Sequence, residues 1–77
     1  MNYDMFSKIM RYKREKRGYR QIDMANILST SLSNYCRMEN GLVEPSFSKL
    51  IIICKILNIN FNDIIMNSNE KEFLKYD

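Results

Sequence analysis

Residues 21–41 read QIDMANILSTSLSNYCRMENG, and the rest of the chain takes its meaning from this stretch. Met24, Ala25 and Leu28 fall on one helical face and predict a short helix opening near Gln21. Ser29-Thr30-Ser31 interrupts it. Ser31 can then cap a new helix, its hydroxyl accepting from backbone N–H groups two or three residues on. That helix turns Tyr35 and Met38 inward and ends near Glu39-Asn40-Gly41. Two short helices meeting across a tight break need a small residue at their contact, apolar inner faces and a compact turn. Ala25 is the small residue, Met24, Leu28, Tyr35 and Met38 line the inner faces, and Ser29 sits at the turn. The pattern is a helix-turn-helix.

Upstream, Phe6, Ile9, Met10 and the stem of Lys13 keep helical spacing as far as Gly18, a residue suited to the position just past a helix end. This predicts a first helix over residues 4–17. Downstream, Pro45-Ser46 opens a fourth helix, with Ser46 as N-cap and Phe47, Leu50, Ile53, Cys54 and Leu57 at helical spacing. The isoleucines at 51–53 suit a strand, but the sustained helical period from 47 to 57 outweighs them. Asn60-Phe61-Asn62-Asp63 resembles a capping box for a fifth helix holding Ile64 and Ile65. The expectation is an all-α bundle of five short helices over residues 1–66. Residues 67–77 would follow as a tail, either a short sixth helix or a frayed end.

Composition narrows the function. At 77 residues and 9.3 kDa the chain is one small domain, burying ~60–65% of the surface its unfolded form exposes. A hydrophobic fraction of 45% with 27% charged residues is that of a globular chain, and 2 Gly with 1 Pro disfavours a many-turned β architecture. The absence of His removes the commonest general base and metal ligand. Cys36 and Cys54 form no CxxC pair, so neither a metal site nor a cofactor is expected; free thiols in a reducing compartment fit them. The longest apolar run, Leu50–Cys54, is far short of the ~20 residues of a membrane span. No cationic stretch leads into an apolar one at the N-terminus, so a cytoplasmic protein without a membrane partner is expected. No catalytic constellation and no small-molecule ligand is implied.

The charge is polarised. Residues 1–41 hold eight Lys/Arg against four acids, whereas residues 42–77 hold four against five. Seven of the twelve basic residues lie between Lys8 and Arg20. A polyanion on the N-terminal side accounts for this, and a solvated helix face is the plain alternative.

Residues 9–65 resemble the Cro/phage-repressor type of helix-turn-helix domain, the xenobiotic-response-element family. Arg14 through Gly18 match the close of the first helix, and Gln21-Ile22-Asp23-Met24-Ala25 stand at the "Q-x-x-L-A" position. Met38-Glu39-Asn40-Gly41 stand at "I-E-N-G", followed by Pro45-Ser46, Leu50, and Leu57-Asn58-Ile59-Asn60 at "L-G-V-S". The resemblance implies a lambda-repressor-like fold and a regulator similar to small stand-alone repressors and restriction–modification controller proteins. Three residues depart from the pattern. Arg20 replaces a capping Ser or Thr, a change worth ~1 kcal/mol. Ser29 replaces the turn glycine, which is strained if its φ is positive. Tyr35 replaces an aliphatic core residue and brings a hydroxyl that needs a partner.

The resemblance also implies roles. The third helix enters the major groove, with Ser31, Leu32, Ser33 and Arg37 meeting base edges and Arg37 suited to guanine O6 and N7. Leu32 fits a thymine methyl, with packing against the core as the alternative. Gln21, at a helix start whose free N–H groups attract anions, resembles a phosphate contact that also braces the recognition helix. Asn40 resembles a second phosphate contact and also suits a helix end. Asn34, Arg11, Arg20 and Lys13 are further backbone-side candidates. Arg14 and Glu39 resemble a structural ion pair. Ile52 and Ile56, with Phe61 and Ile65, leave surplus apolar surface that a homodimer on a pseudo-palindromic operator would cover. The competing reading is a protein-binding module, an antitoxin or adaptor, using the same fold. A thiol sensor at Cys36 lacks an adjacent resolving cysteine.

Overall fold

Residues 2–60 are described by the computed structural model, and four helices account for most of them. They are α1 (Tyr3–Lys16), α2 (Gln21–Ile27), α3 (Leu32–Glu39) and α4 (Phe47–Ile56), with no strand among the described residues. The expected fifth helix, with Phe61, Ile64 and Ile65, and the tail from residue 67 lie outside them. The predicted starts of α3 and α4 hold on their serine caps. Ser31 Oγ accepts from the Asn34 N–H at 3.0 Å and Ser46 Oγ from that of Lys49 at 3.4 Å. Asn2, whose Oδ1 accepts from the Asp4 N–H at 2.9 Å, starts α1 one residue before the expected Asp4. Arg20 has no oxygen to offer at the start of α2. There the cap is half of a box, the Asp23 carboxylate accepting from the Arg20 backbone N–H at 2.7 Å.

All four helices stop in the same way. Each is followed by a residue with positive φ: Gly18 (80°), Ser29 (53°), Gly41 (76°) and Asn58 (54°). The next N–H in each case reaches back to a carbonyl five residues earlier, from Tyr19 to Arg14, Thr30 to Ala25, Leu42 to Arg37 and Ile59 to Cys54. This Schellman closure satisfies carbonyls that a helix end leaves without partners. At Gly41 the demand is steric as well as conformational, since a Cβ there would lie 2.6 Å from Asp4 Oδ1. Ser29 meets the same conformational demand with a side chain in place, so the expected strain is real.

The core joins Phe6, Met10, Met24, Tyr35, Met38, Ile53 and Leu57, all essentially inaccessible, to Ile9, Ala25, Leu28, Leu50 and Ile59. Each turns inward for the reason the spacing gives: it lies on the one face its helix offers to the others. α3 packs on both α2 and α1. Tyr3 joins the core unforeseen, stacking near Phe6 and donating its hydroxyl to the Met38 carbonyl at 2.7 Å. That bond ties the start of α1 to the end of α3. Tyr35 is fully buried, but its hydroxyl makes no hydrogen bond of normal geometry. Ile56, expected to lie away from the core, packs partly against it. It sits about 60° round the helix from Ile53, on the shoulder of the buried stripe. Ile52 is exposed.

Ser29→Gly should stabilise the protein by roughly 0.5–1 kcal/mol, because relief of left-handed strain exceeds the added entropy of the unfolded chain. Urea denaturation measures it; a loss of stability would mean that the Ser29 side chain offsets its own strain.

Candidate nucleic-acid interface

A buried carboxylate organises this region. The Glu39 side chain, wholly inaccessible, closes α3, and three side chains from two other helices converge on it. Arg14 on α1 donates from Nε to Oε2 and from Nη2 to Oε1. Its Nη1 also donates to the Tyr19 carbonyl at 2.8 Å, fixing the connection between α1 and α2. Arg11, one turn earlier, donates from Nε to Glu39 Oε1 at 3.3 Å. Gln21, the first residue of α2, donates from Nε2 to the same oxygen at 3.3 Å. Burial alone would push the Glu39 carboxyl up, but hydrogen bonds, above all from Arg14, hold its pKa below the ordinary value. The Tyr35 hydroxyl is raised in pKa first by burial and then by its proximity to Glu39.

Around this hub stand the expected phosphate-side residues. Asn40 is exposed beyond α3, and its Oδ1 accepts from Arg11 Nη2 at 2.7 Å. The Gln21 carboxamide is held at both ends, for Oε1 accepts from the Cys36 thiol at 3.4 Å. Arg20 is turned elsewhere: its guanidinium donates to the Asp23 carboxylate from Nε and Nη2, holding that carboxyl below its ordinary pKa. Asn34 Nδ2 donates to Thr30 Oγ1 at 2.9 Å, bracing the turn.

The outward face of α3 carries Leu32, Ser33 and Arg37, all exposed. Leu32 keeps 44% of its surface accessible and lies outside the buried core. Ser31 is exposed beside them while its oxygen serves as the cap. Arg37 makes no hydrogen bond or ion pair with any described residue, although each of the other arginines donates at least one hydrogen bond. The Arg11–Asn40 and Gln21–Cys36 bonds could not be found from sequence, because nothing in the local pattern marks which distant residues an exposed polar side chain will meet.

A helix-turn-helix family model matches residues 10–64. The chain belongs to the Cro/C1-type helix-turn-helix family. No curated protein and no solved structure matches it. The Cro/C1-type assignment makes it a DNA-binding regulator with double-stranded DNA as partner, in a family that is typically non-enzymatic. None of the described helices is long and apolar enough to cross a membrane.

Glu39→Ala should cost ~3 kcal/mol, since it leaves the nearly buried Arg14 guanidinium without its carboxylate. Arg14→Met with Glu39→Leu should recover much of that. The depressed Glu39 pKa also sets a pH dependence. The unfolded chain takes up the proton first, near 4.5, so the contribution is complete above that value and lost as pH falls through the lower folded one. Denaturation at successive pH values should show a steeper acid loss in the parent than in Glu39→Gln. Identical acid limbs would mean that Glu39 is not held ionised by folding.

Proposed function

We propose that the protein is a sequence-specific transcriptional regulator, a repressor or controller protein, acting as a homodimer on a pseudo-palindromic operator. The observation that carries this reading is Arg37. Its guanidinium fork has no partner among the described residues, and it stands on the exposed face of α3 with Leu32 and Ser33. A desolvated, unpaired arginine would be costly, whereas an exposed one is available for the bidentate contact a guanine edge offers. Leu32 supplies the apolar contact for a thymine methyl, and Ser31 and Ser33 add adaptable hydroxyls. Gln21 and Arg11, which donate to Glu39, and Asn40, which accepts from Arg11, form the phosphate side, with Asn34 and Arg20 as further contributors.

Dimerisation is supported by α4. Phe47 is 71% exposed, and Ile51 and Ile52 are also exposed. An apolar groove of about 250 Å3 runs beside them, lined by Phe47, Leu50, Ile51, Cys54, Lys55 and Ile59. A second copy related by a two-fold axis would cover this face and present two recognition helices to two half-sites. Ile52 remains the strongest of the expected interface residues. Ile56 contributes from the shoulder of the core. Phe61 and Ile65 belong to the same proposal but lie outside the described residues. An antitoxin or adaptor would use the same apolar face against another protein. Selection of bound duplexes from a random pool separates the two readings: an enriched palindrome supports the regulator, and no enrichment supports the protein-binding module.

Arg37→Ala should cost ~1–3 kcal/mol on the selected site and relax preference at one base pair per half-site, with little change on random DNA. Gln21→Ala should weaken selected and altered sites alike. Titration on single-base variants decides it, and uniform weakening by Arg37→Ala would make Arg37 a backbone contact instead. Sedimentation of the unmodified protein at micromolar concentration should show a dimer, and Ile52→Asp with Ile51→Asp a folded monomer. A monomeric parent would remove the dimer.

A further inference from the structure

Arg11 and Asn40 are 29 positions apart, yet each fixes the other's orientation. The Arg11 guanidinium is held twice by the end of α3, through Nε on Glu39 and through Nη2 on Asn40 Oδ1. A carboxamide held by its oxygen presents its nitrogen, so both hydrogens of Asn40 Nδ2 are left without a partner among the described residues. The Arg11 side chain is 47% exposed, and its Nη1 donors likewise have no partner there. One carboxylate serves two guanidinium groups, so the cluster keeps one positive charge uncancelled. A planar cationic fork beside an oriented amide suits the oxygens of a phosphate.

We propose that Arg11 and Asn40 form a single phosphate clamp, with Arg11 a positioning residue that aims the Asn40 amide at the DNA backbone. The proposal rests on the DNA-binding reading above and deepens it: two contacts far apart in sequence act as one. Phosphate contacts do not read sequence, so the clamp works on any duplex.

The test is a double-mutant cycle of Arg11→Ala and Asn40→Ala, with Arg11→Lys as a third variant, on a mixed-sequence duplex at low salt. Each single variant should weaken binding about fivefold to tenfold, and the double variant no more than the weaker single. Arg11→Lys keeps the charge but loses the fork, so it should bind more weakly than the parent. In the free protein, Arg11→Lys should also move the Asn40 side-chain amide signals toward those of a solvent-exposed asparagine. Independent effects, seen as multiplying losses, would overturn the clamp. So would an Arg11→Lys protein that binds like the parent, or Asn40 amide signals that stay in place. In those cases DNA binding by the parent still stands. A parent protein that fails to retain the duplex overturns the DNA reading and the clamp together, and that failure is read from the unmodified sample.

Discussion

The arrangement of α1, α2 and α3 depends on one ion cluster, the inaccessible Glu39 carboxylate and the groups that surround it. An unpaired carboxylate in that position would cost several kcal/mol, so folding must deliver its partners together. Arg14 comes from the last turn of α1, Arg11 from the turn before, and Gln21 from the first turn of α2. None of the three can reach Glu39 unless the helices stand at the observed angles. The cluster therefore specifies an arrangement that apolar packing alone would leave loosely defined. Its specificity comes from geometry, since four donors must find two oxygens.

The same cluster sorts the cationic side chains by role. Arg14 is 11% exposed and committed to structure, Arg11 is half engaged, and Arg37 keeps its whole fork free of the described residues. Arg20 is exposed, but its donors are directed to Asp23. Charge counting treats these residues as equivalent. Hydrogen bonding separates the ones that hold the scaffold from the one whose donors no described residue takes up.

Much of the fold was legible because it is written in local terms. The caps at Ser31 and Ser46, the glycines at 18 and 41, and the stripes through Met24 and Leu28 or Leu50 and Ile53 each need only a few neighbouring residues to be read. The Arg14–Glu39 pair was legible through resemblance alone, since residues 25 positions apart leave no local trace. Tyr3 escaped notice because its burial depends on a hydroxyl bond to Met38, on a helix it does not adjoin in sequence. The partial burial of Ile56 was missed for a different reason. Helical periodicity divides a helix into two faces, whereas a shoulder residue belongs to neither until the neighbouring helices are placed.

The closure after α2 has a consequence beyond capping. Ser29 and Thr30 donate back to Asn26 and Ala25, so the break between α2 and α3 is a hydrogen-bonded, left-handed corner. Such a corner does not flex without losing those bonds. If α3 reads DNA as proposed, a corner that stiff would pass part of the cost of misfit to the duplex. Base steps that bend or twist easily would then be favoured even where no side chain touches them, giving the recognition helix a preference it never reads directly.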